Sequence, residues 1–274
     1  MDSKMQEMLT WIVRLLREYW PQFLSGTGWT VFLAIVGTVL GFAIGLIIGA
    51  VRTVPKNSGG QHRLTPKSVL LSVVNAVFAI YTEVFRGTPM MVQAMLIFYG
   101  LTEFAGIHIA AIPAGILVIT LNTGAYMAEI VRGGIQSIDA GQTEAAKAIG
   151  MNHWRTMVHV ILPQAIRNIL PAIGNEFVVN LKDSSVLNVI TVTELFYATK
   201  IVRGLYYRTY EPFLIAAVIY LILTFVSSRL IRMLEKRMDG PSAYSLADDP
   251  AALVMLNTRG GRRGRRVGGA KWRR

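Results

Sequence analysis

The sequence predicts an all-α membrane protein with about five transmembrane helices, and three observations carry that prediction. Of its 274 residues 53% are hydrophobic and only 16% charged, against about 25% charged in soluble domains. Residues 26–51 carry no charged side chain, and roughly 20 apolar residues suffice for a helix to cross a bilayer core. Residues 104–128 form a second charge-free run, with shorter ones at 87–102 and 212–228.

The elements follow in order. Residues 1–23 read as an amphipathic lead-in, not a cleavable signal. Arg14, Arg17 and Glu18 alternate there with Trp11, Ile12, Leu15 and Leu16, and no compact apolar stretch leads into small residues. Span one is expected at about 24–52. Its Gly37, Gly41, Gly45 and Gly49 recur every four residues, a glycine stripe that lets another helix backbone approach closely. The spacing leaves open whether that helix belongs to this chain or to a second subunit. The next apolar stretch is too long for one span and is broken at Arg86-Gly87-Thr88-Pro89. It divides into a helix at 68–85 near the cytoplasmic interface and a crossing at about 88–103, with Gln93 placed to satisfy backbone groups freed by Pro89. Span three, at about 112–132, opens on Pro113 as a first-turn proline. Spans four and five are expected at about 165–190 and 212–234.

Lys and Arg set the orientation. The loops 52–67 (Arg52, Lys56, Arg63, Lys67) and 132–163 (Arg132, Lys147, Arg155) and the stretch after Ser228 are basic, whereas 103–111 has no Lys or Arg. Five crossings then put the amino terminus outside and the carboxyl terminus in the cytoplasm. The loop 196–211 dissents, with Lys200, Arg203 and Arg208 outside. The net charge of +12 owes eight positive charges to residues 259–274, in a basic tail from 237 to 274 that is expected to be disordered. That tail reads as a cytoplasmic extension drawn to anionic headgroups of the bilayer, and no nucleic-acid partner is expected.

Catalytic patterns are absent. There is no phosphate-cradling Gly-x-x-x-x-Gly-Lys-[Ser/Thr], no His-Glu-x-x-His and no Gly-x-Ser-x-Gly. With no cysteine, disulfides, thiolate metal sites and cysteine nucleophiles are excluded. His62, His108, His153 and His159 lack metal-ligand spacing and acidic co-ligands. No enzyme activity, metal or cofactor is expected in this chain, and transport or channel function becomes the default.

One polar segment stands out between spans three and four: "EAAKAIGMNHWRTMVHVILP", residues 144–163. Glu144 to Ile149 favour a helix. Gly150 interrupts it, and Leu162-Pro163 closes the segment. Ala145, Ala146, Ala148 and Ile149 offer a small apolar surface beside solvated Glu144, Lys147 and Arg155. Spacing alone fits two readings, a helix docked in a cleft of another protein and a solvated loop with a helical turn.

Glu144-Ala145-Ala146, Gly150, Val160 and Leu162-Pro163 resemble the EAA loop of ABC importer permeases, with Val160 where isoleucine is usual. "EVFRGTPMMVQ" (83–93), "LNTGAYMAEIVRGGIQSI" (121–138) and "LKDSSVLNVITVTEL" (181–195) are similar to the polar amino acid uptake permeases of the histidine/glutamine/arginine type. The resemblance covers about 24–236, with the coupling loop at about 139–163. It implies the type I importer permease fold, a second permease subunit (identical or related), and an extracytoplasmic binding protein that delivers the substrate. It also implies two cytoplasmic ATPase subunits, which would use ATP and Mg. Glu144, Ala145, Ala146, Ala148 and Gly150 would then form the coupling helix and its joint.

Polar groups at membrane depth are costly and are functional candidates by default. Span four offers Glu176, Asn180, Lys182, Asp183, Ser184 and Ser185. Asp183 suits a substrate ammonium, and Ser184 or Ser185 its carboxylate; the other reading of Lys182-Asp183 is a structural charge pair near the outer interface. The resemblance raises Asp183 above its neighbours. Asn122, Tyr126 and Glu129 share one face of span three. They are candidates for the pathway, while for Glu129 a structural pair with Arg132 near the cytoplasmic end, or with a charge such as Arg86, is the stronger reading. The competing functions are a stand-alone ion-coupled carrier or channel and a membrane scaffold.

Overall fold

The computed structural model describes residues 3–54 and 66–248, and the described residues are helical with short connections. The elements are α1 (Ser3–Arg52), α2 (Pro66–Gly87), α3 (Met90–Ala105), α4 (Ala111–Gln136), α5 (Ala140–Ala148) and α6 (His153–Thr156). A π-helical turn (Met157–Ile161) leads into α7 (Leu162–Asp183). A 3-10 segment (Ser184–Ile190), α8 (Leu195–Tyr206) and α9 (Tyr210–Asp248) complete the chain. The chain divides into two units, 1–231 and 232–274. Only the helical residues up to Asp248 are described in the second, so the basic stretch 259–274 lies outside the described residues, as do Lys56 and Arg63.

The lead-in and span one are a single helix of 50 residues, about 75 Å long at 1.5 Å per residue. Its glycine stripe lies along α4 of the same chain, so the partner left open by the spacing is intramolecular. A Cβ on Gly37 would come within 2.8 Å of Ile119, and one on Gly41 within 2.7 Å of Thr123. One on Gly49 would come within 2.7 Å of Val131, and one on Gly45 would collide with Met127. The partners Ile119, Thr123, Met127 and Val131 repeat at four residues, as the glycines do, because two helices crossing at a shallow angle keep their i, i+4 rows in register.

The crossings differ from expectation at α2 and α3. Residues 68–87 of α2 are long and apolar enough to cross a membrane, and α3, with 16 residues, is the shorter apolar helix. The charged Glu83 and Arg86 fall in the last turns of α2, which leaves Val69 to Phe85 almost uninterrupted. The helices α1, α4 and α9 also qualify, and the bent pair 153–190 with α8 makes a fifth. Pro89 is the N-cap of α3, with extended ψ of 136°. Gln93 carries out the repair expected of it: its Nε2 donates to the Phe85 carbonyl at 2.8 Å, the acceptor a proline at 89 leaves without its helical donor.

Two further corrections concern boundaries. Leu162-Pro163 opens α7 and does not close the preceding segment, since proline near the first position of a helix loses no needed N–H. The loop expected at 196–211 contains a helix, α8, bent by 53° from the one before it. Its N-cap is Glu194, whose carboxylate accepts from the Phe196 and Tyr197 N–H groups at 2.9 and 2.8 Å. Glu194 is fully buried and is also reached by the Tyr220 hydroxyl at 2.7 Å. Three apolar clusters hold the helices of unit 1. Leu33, Ala94, Val118 and Leu187 lie in one, Val131, Ile161 and Ile169 in a second, and Leu15, Phe23, Leu195 and Val202 in a third.

Candidate functional site

The candidate polar site is built on α4 and α7, and the sequence-derived candidates separate there into three groups. The first is tied into the protein. Asn180 is buried, accepts from the Thr123 hydroxyl at 3.0 Å and donates to the Thr38 hydroxyl at 2.9 Å, which joins α7 to α4 and α1. Asn122 is buried and donates to Gln93 Oε1 at 2.9 Å, linking α4 to the break between α2 and α3. Ser184 is fully buried, and its hydroxyl donates to the Leu181 carbonyl one turn back at 3.0 Å. Each of these polar groups has the partner that burial demands.

The second group lies further along α4. The Glu129 carboxylate is held by two guanidiniums, Arg132 at 2.7 Å and Arg52 at the end of α1. Arg52 also donates to the Thr82 hydroxyl at 3.2 Å, so α1, α2 and α4 meet at this ion network. Arg132 had been one expected partner of Glu129; Arg86 instead stands over the ring of Tyr126, 5.6 Å from its centroid, with both side chains exposed.

The third group is acidic and unpaired. Glu176 and Asp183 lie at i and i+7 on the face of α7 that also carries Asn180. Both are half-buried, and neither has an ion pair or hydrogen bond among the described residues. Lys182 points to the exposed side and forms no ion pair with Asp183. Ser185 is half-buried next to Asp183. Two half-buried carboxylates without an ion pair, on the helix face that carries the buried Asn180, are suited to a cation or to N–H donors.

The segment 139–163, expected to couple to the ATPase, begins with two short helices, α5 and α6, joined by a tight turn. Asp139 caps α5, its Oδ1 accepting from the Gly141 N–H at 2.7 Å. Beyond Ala148 the chain reverses through a left-handed Gly150, φ 81°. The Met151 N–H reaches the Ala146 carbonyl at 3.0 Å, and the Gly150 N–H reaches that of Lys147 at 2.9 Å. This is the Schellman pattern of helix endings. Nothing lies within 4 Å of a Cβ built on Gly150, so the backbone angle and not crowding accounts for glycine. The apolar surface expected of α5 is divided: Ala146 is buried against the chain, while Glu144, Ala145, Ala148 and Ile149 face outward.

Sequence reasoning missed Glu194, Thr38 and the role of Arg52. Glu194 gives no distinctive signal, because glutamate is a less usual cap than serine, threonine or aspartate. Thr38 and Arg52 become partners only when α1 is laid on α4. No group of three His, Cys, Asp or Glu residues able to hold a metal ion occurs among the described residues.

A helical chain with several apolar spans, polar groups on two of them and an exposed pair of short helices between them is an architecture suited to a transporter's membrane subunit. The chain belongs to the binding-protein-dependent transport system inner membrane components, whose family model matches residues 68–240. It is thus a membrane permease component, with ATP hydrolysis assigned to a separate subunit. Among its relatives, the glutamine transport system permease protein GlnP of Escherichia coli K12 is 37% identical over 219 residues, which is 80% of this chain and 93% of that protein. The arginine transport system permease protein ArtQ of Bacillus subtilis is 35% identical over 219 residues, 78% of this chain and 93% of that one. A crystal structure of an amino acid ABC transporter with histidines contains a chain 40% identical, with a TM-score of 0.70 over 81% of this chain and 96% of that chain.

Proposed function

We propose that this chain is the permease subunit of an ATP-driven importer that carries a polar amino acid, delivered by an extracytoplasmic binding protein, into the cytoplasm. It would act as a pair of permeases, identical or related, on two ATPase subunits. The amino terminus would lie outside, and the carboxyl terminus and the α5–α6 hairpin in the cytoplasm. The observation that carries the reading is the pair of half-buried carboxylates, Glu176 and Asp183, on one face of α7, neither of them in an ion pair. A polar amino acid always presents an α-ammonium, and a carboxylate within a membrane helix is costly unless a cation meets it. Asp183 would take the ammonium and Ser185 the substrate carboxylate, with Tyr126 lining the route. Asn180, Asn122 and Ser184 would position the helices that bear these groups, and Glu129 would hold the network at Arg52 and Arg132.

With two carboxylates on that face of α7, a basic or amide side chain is favoured over an acidic one. GlnP and ArtQ resemble the chain almost equally, which fits a site whose common demand is the α-amino acid end. Glu144, Ala145, Ala148 and the Gly150 turn would transmit closure of the ATPases as a rigid lever. The test is uptake into proteoliposomes holding the permease with its ATPase and binding protein, with arginine, histidine, glutamine and glutamate as competitors. ATP-dependent uptake blocked by the first three and not by glutamate is expected. Uptake by the permease without the ATPase would reject the reading.

A further inference from the structure

We propose that Asn188 is a positioning residue for the substrate: together with Lys200 of α8 it latches the over-wound turn that carries Ser185, and so sets how Asp183 and Ser185 are presented. The inference rests on the substrate-binding role proposed above for those two residues. The turn is the 3-10 segment Ser184–Ile190, seven residues long, where such runs seldom exceed about three or four. It begins directly after Asp183, the last residue of α7. With three residues per turn, side chains at i and i+3 stand in rows. Ser184, Leu187 and Ile190 form the buried row. Ser185 and Asn188 form the next, and both are half-buried. Ordinary α-helical winding would turn Asn188 about 60° away from Ser185.

Asn188 spends both ends of its amide on this arrangement. Its Nδ2 donates to the Ser185 carbonyl at 2.7 Å, and its Oδ1 accepts from the Lys200 Nζ at 3.0 Å. One side chain therefore joins the peptide of Ser185 to α8. The segment ends under strain: Thr191 takes a left-handed φ of 63°, an outlying angle for a β-branched residue. The Thr191 N–H reaches the Asn188 carbonyl at 3.1 Å, and the Val192 N–H reaches that of Leu187 at 3.3 Å. Leu187, Ile190 and Val192 pack in the apolar cluster with Leu33, Ala94 and Val118. The buried row is fastened by that packing and does not need Asn188. What Asn188 and Lys200 add is the setting of the polar row against α8. Strained backbone persists only where its surroundings over-determine it, and it gathers at ligand sites.

The test is equilibrium binding of radiolabelled arginine and glutamine to the permease–ATPase complex in lipid nanodiscs, with no binding protein present. Asn188→Ala and Lys200→Met are each expected to weaken binding of the amino acid that the wild type holds, by about tenfold. Lys200→Arg should keep most of it. The double variant should bind no more weakly than Asn188→Ala alone, because members of one hydrogen-bonded unit do not add. Melting of Lys200→Met should match the wild type, since the lysine is exposed. Unchanged binding in both single variants, with binding lost in Asp183→Asn, overturns the latch and leaves the substrate site standing. Additive losses, or a loss confined to one of the single variants, also overturn it, since the two residues would then act apart. Full binding in Asp183→Asn, or none in the wild type, overturns the reading of the site as well.

Discussion

Asn180 and Asp183 are three residues apart on α7, yet they do different things. Asn180 spends both ends of its amide on the hydroxyls of Thr123 and Thr38, whereas Asp183 has no partner among the described residues. Truncating the first leaves two buried hydroxyls unpaired, which costs about 1–3 kcal/mol per group. Asn180→Ala should therefore lower the melting temperature of the solubilised permease together with its uptake. Asp183→Asn should leave melting unchanged and cut uptake at least about tenfold, the scale of a lost charge-assisted hydrogen bond. Equal melting of the two variants would remove the distinction. The sequence gives no hint of it, because Thr38 is 142 positions from Asn180 and only the packing of α1 brings it near. Gly150 is the converse case, a residue whose role is local and legible. Its left-handed angle costs an ordinary side chain about 1–2 kcal/mol. Gly150→Ala should loosen the hairpin and lower uptake per ATP hydrolysed, while Gly133→Ala, at a helical glycine with open space around its Cβ, should change neither.

At the scale of elements, the contact of α1 with α4, the most extensive among the described residues, is also plainly written in the sequence. Four glycines at four-residue spacing require a close neighbour, and α4 supplies it with a row of the same period. Inserting a branched side chain there forces apart two packed backbones, a change that costs about 1–3 kcal/mol even where a core can adjust. Gly41→Val should lower the melting temperature and the yield of monodisperse permease, and Gly28→Ala, with nothing near its Cβ, should not. Size-exclusion profiles and thermal melts of the two variants check this directly. The spans were legible for the same reason, since bilayer thickness imposes a length on apolar runs. The element that escaped, α8, is amphipathic: Lys200 and Arg203 interrupt its apolar pattern, while Leu195, Ala198 and Val202 are buried. It is shaped by neighbours in α1 and α9, and local sequence carries no trace of them. The division between α2 and α3 was equally hard to read, because the breaker at Pro89 marks a bend without saying which side crosses.

For the whole molecule the open quantity is direction across the membrane, and the packing removes part of the objection to an outside amino terminus. Of the three cations that dissent in the loop 196–211, Arg208 is neutralised by Glu211 at 2.8 Å and by Glu7 of α1 at 2.9 Å. That bridge also ties the first turns of α1 to the start of α9, so both lie on one side of the bilayer. The rule counts Lys and Arg that resist translocation, and a guanidinium held between two carboxylates adds less positive field than a free one. The sequence contains no cysteine, so single cysteines report sidedness without background. Tyr207 is 94% exposed, next to Arg208, and Ala148 is exposed at the end of α5. A membrane-impermeant maleimide should label Tyr207→Cys in cells with an intact inner membrane, and Ala148→Cys only after the membrane is opened. The opposite result would invert the topology and put the hairpin out of reach of any cytoplasmic ATPase. Labelling of both from one side would mean an even number of crossings between them. Since α7 and α8 together are the only apolar passage from residue 148 to residue 207, that outcome would turn the bent pair from a span into a re-entrant loop.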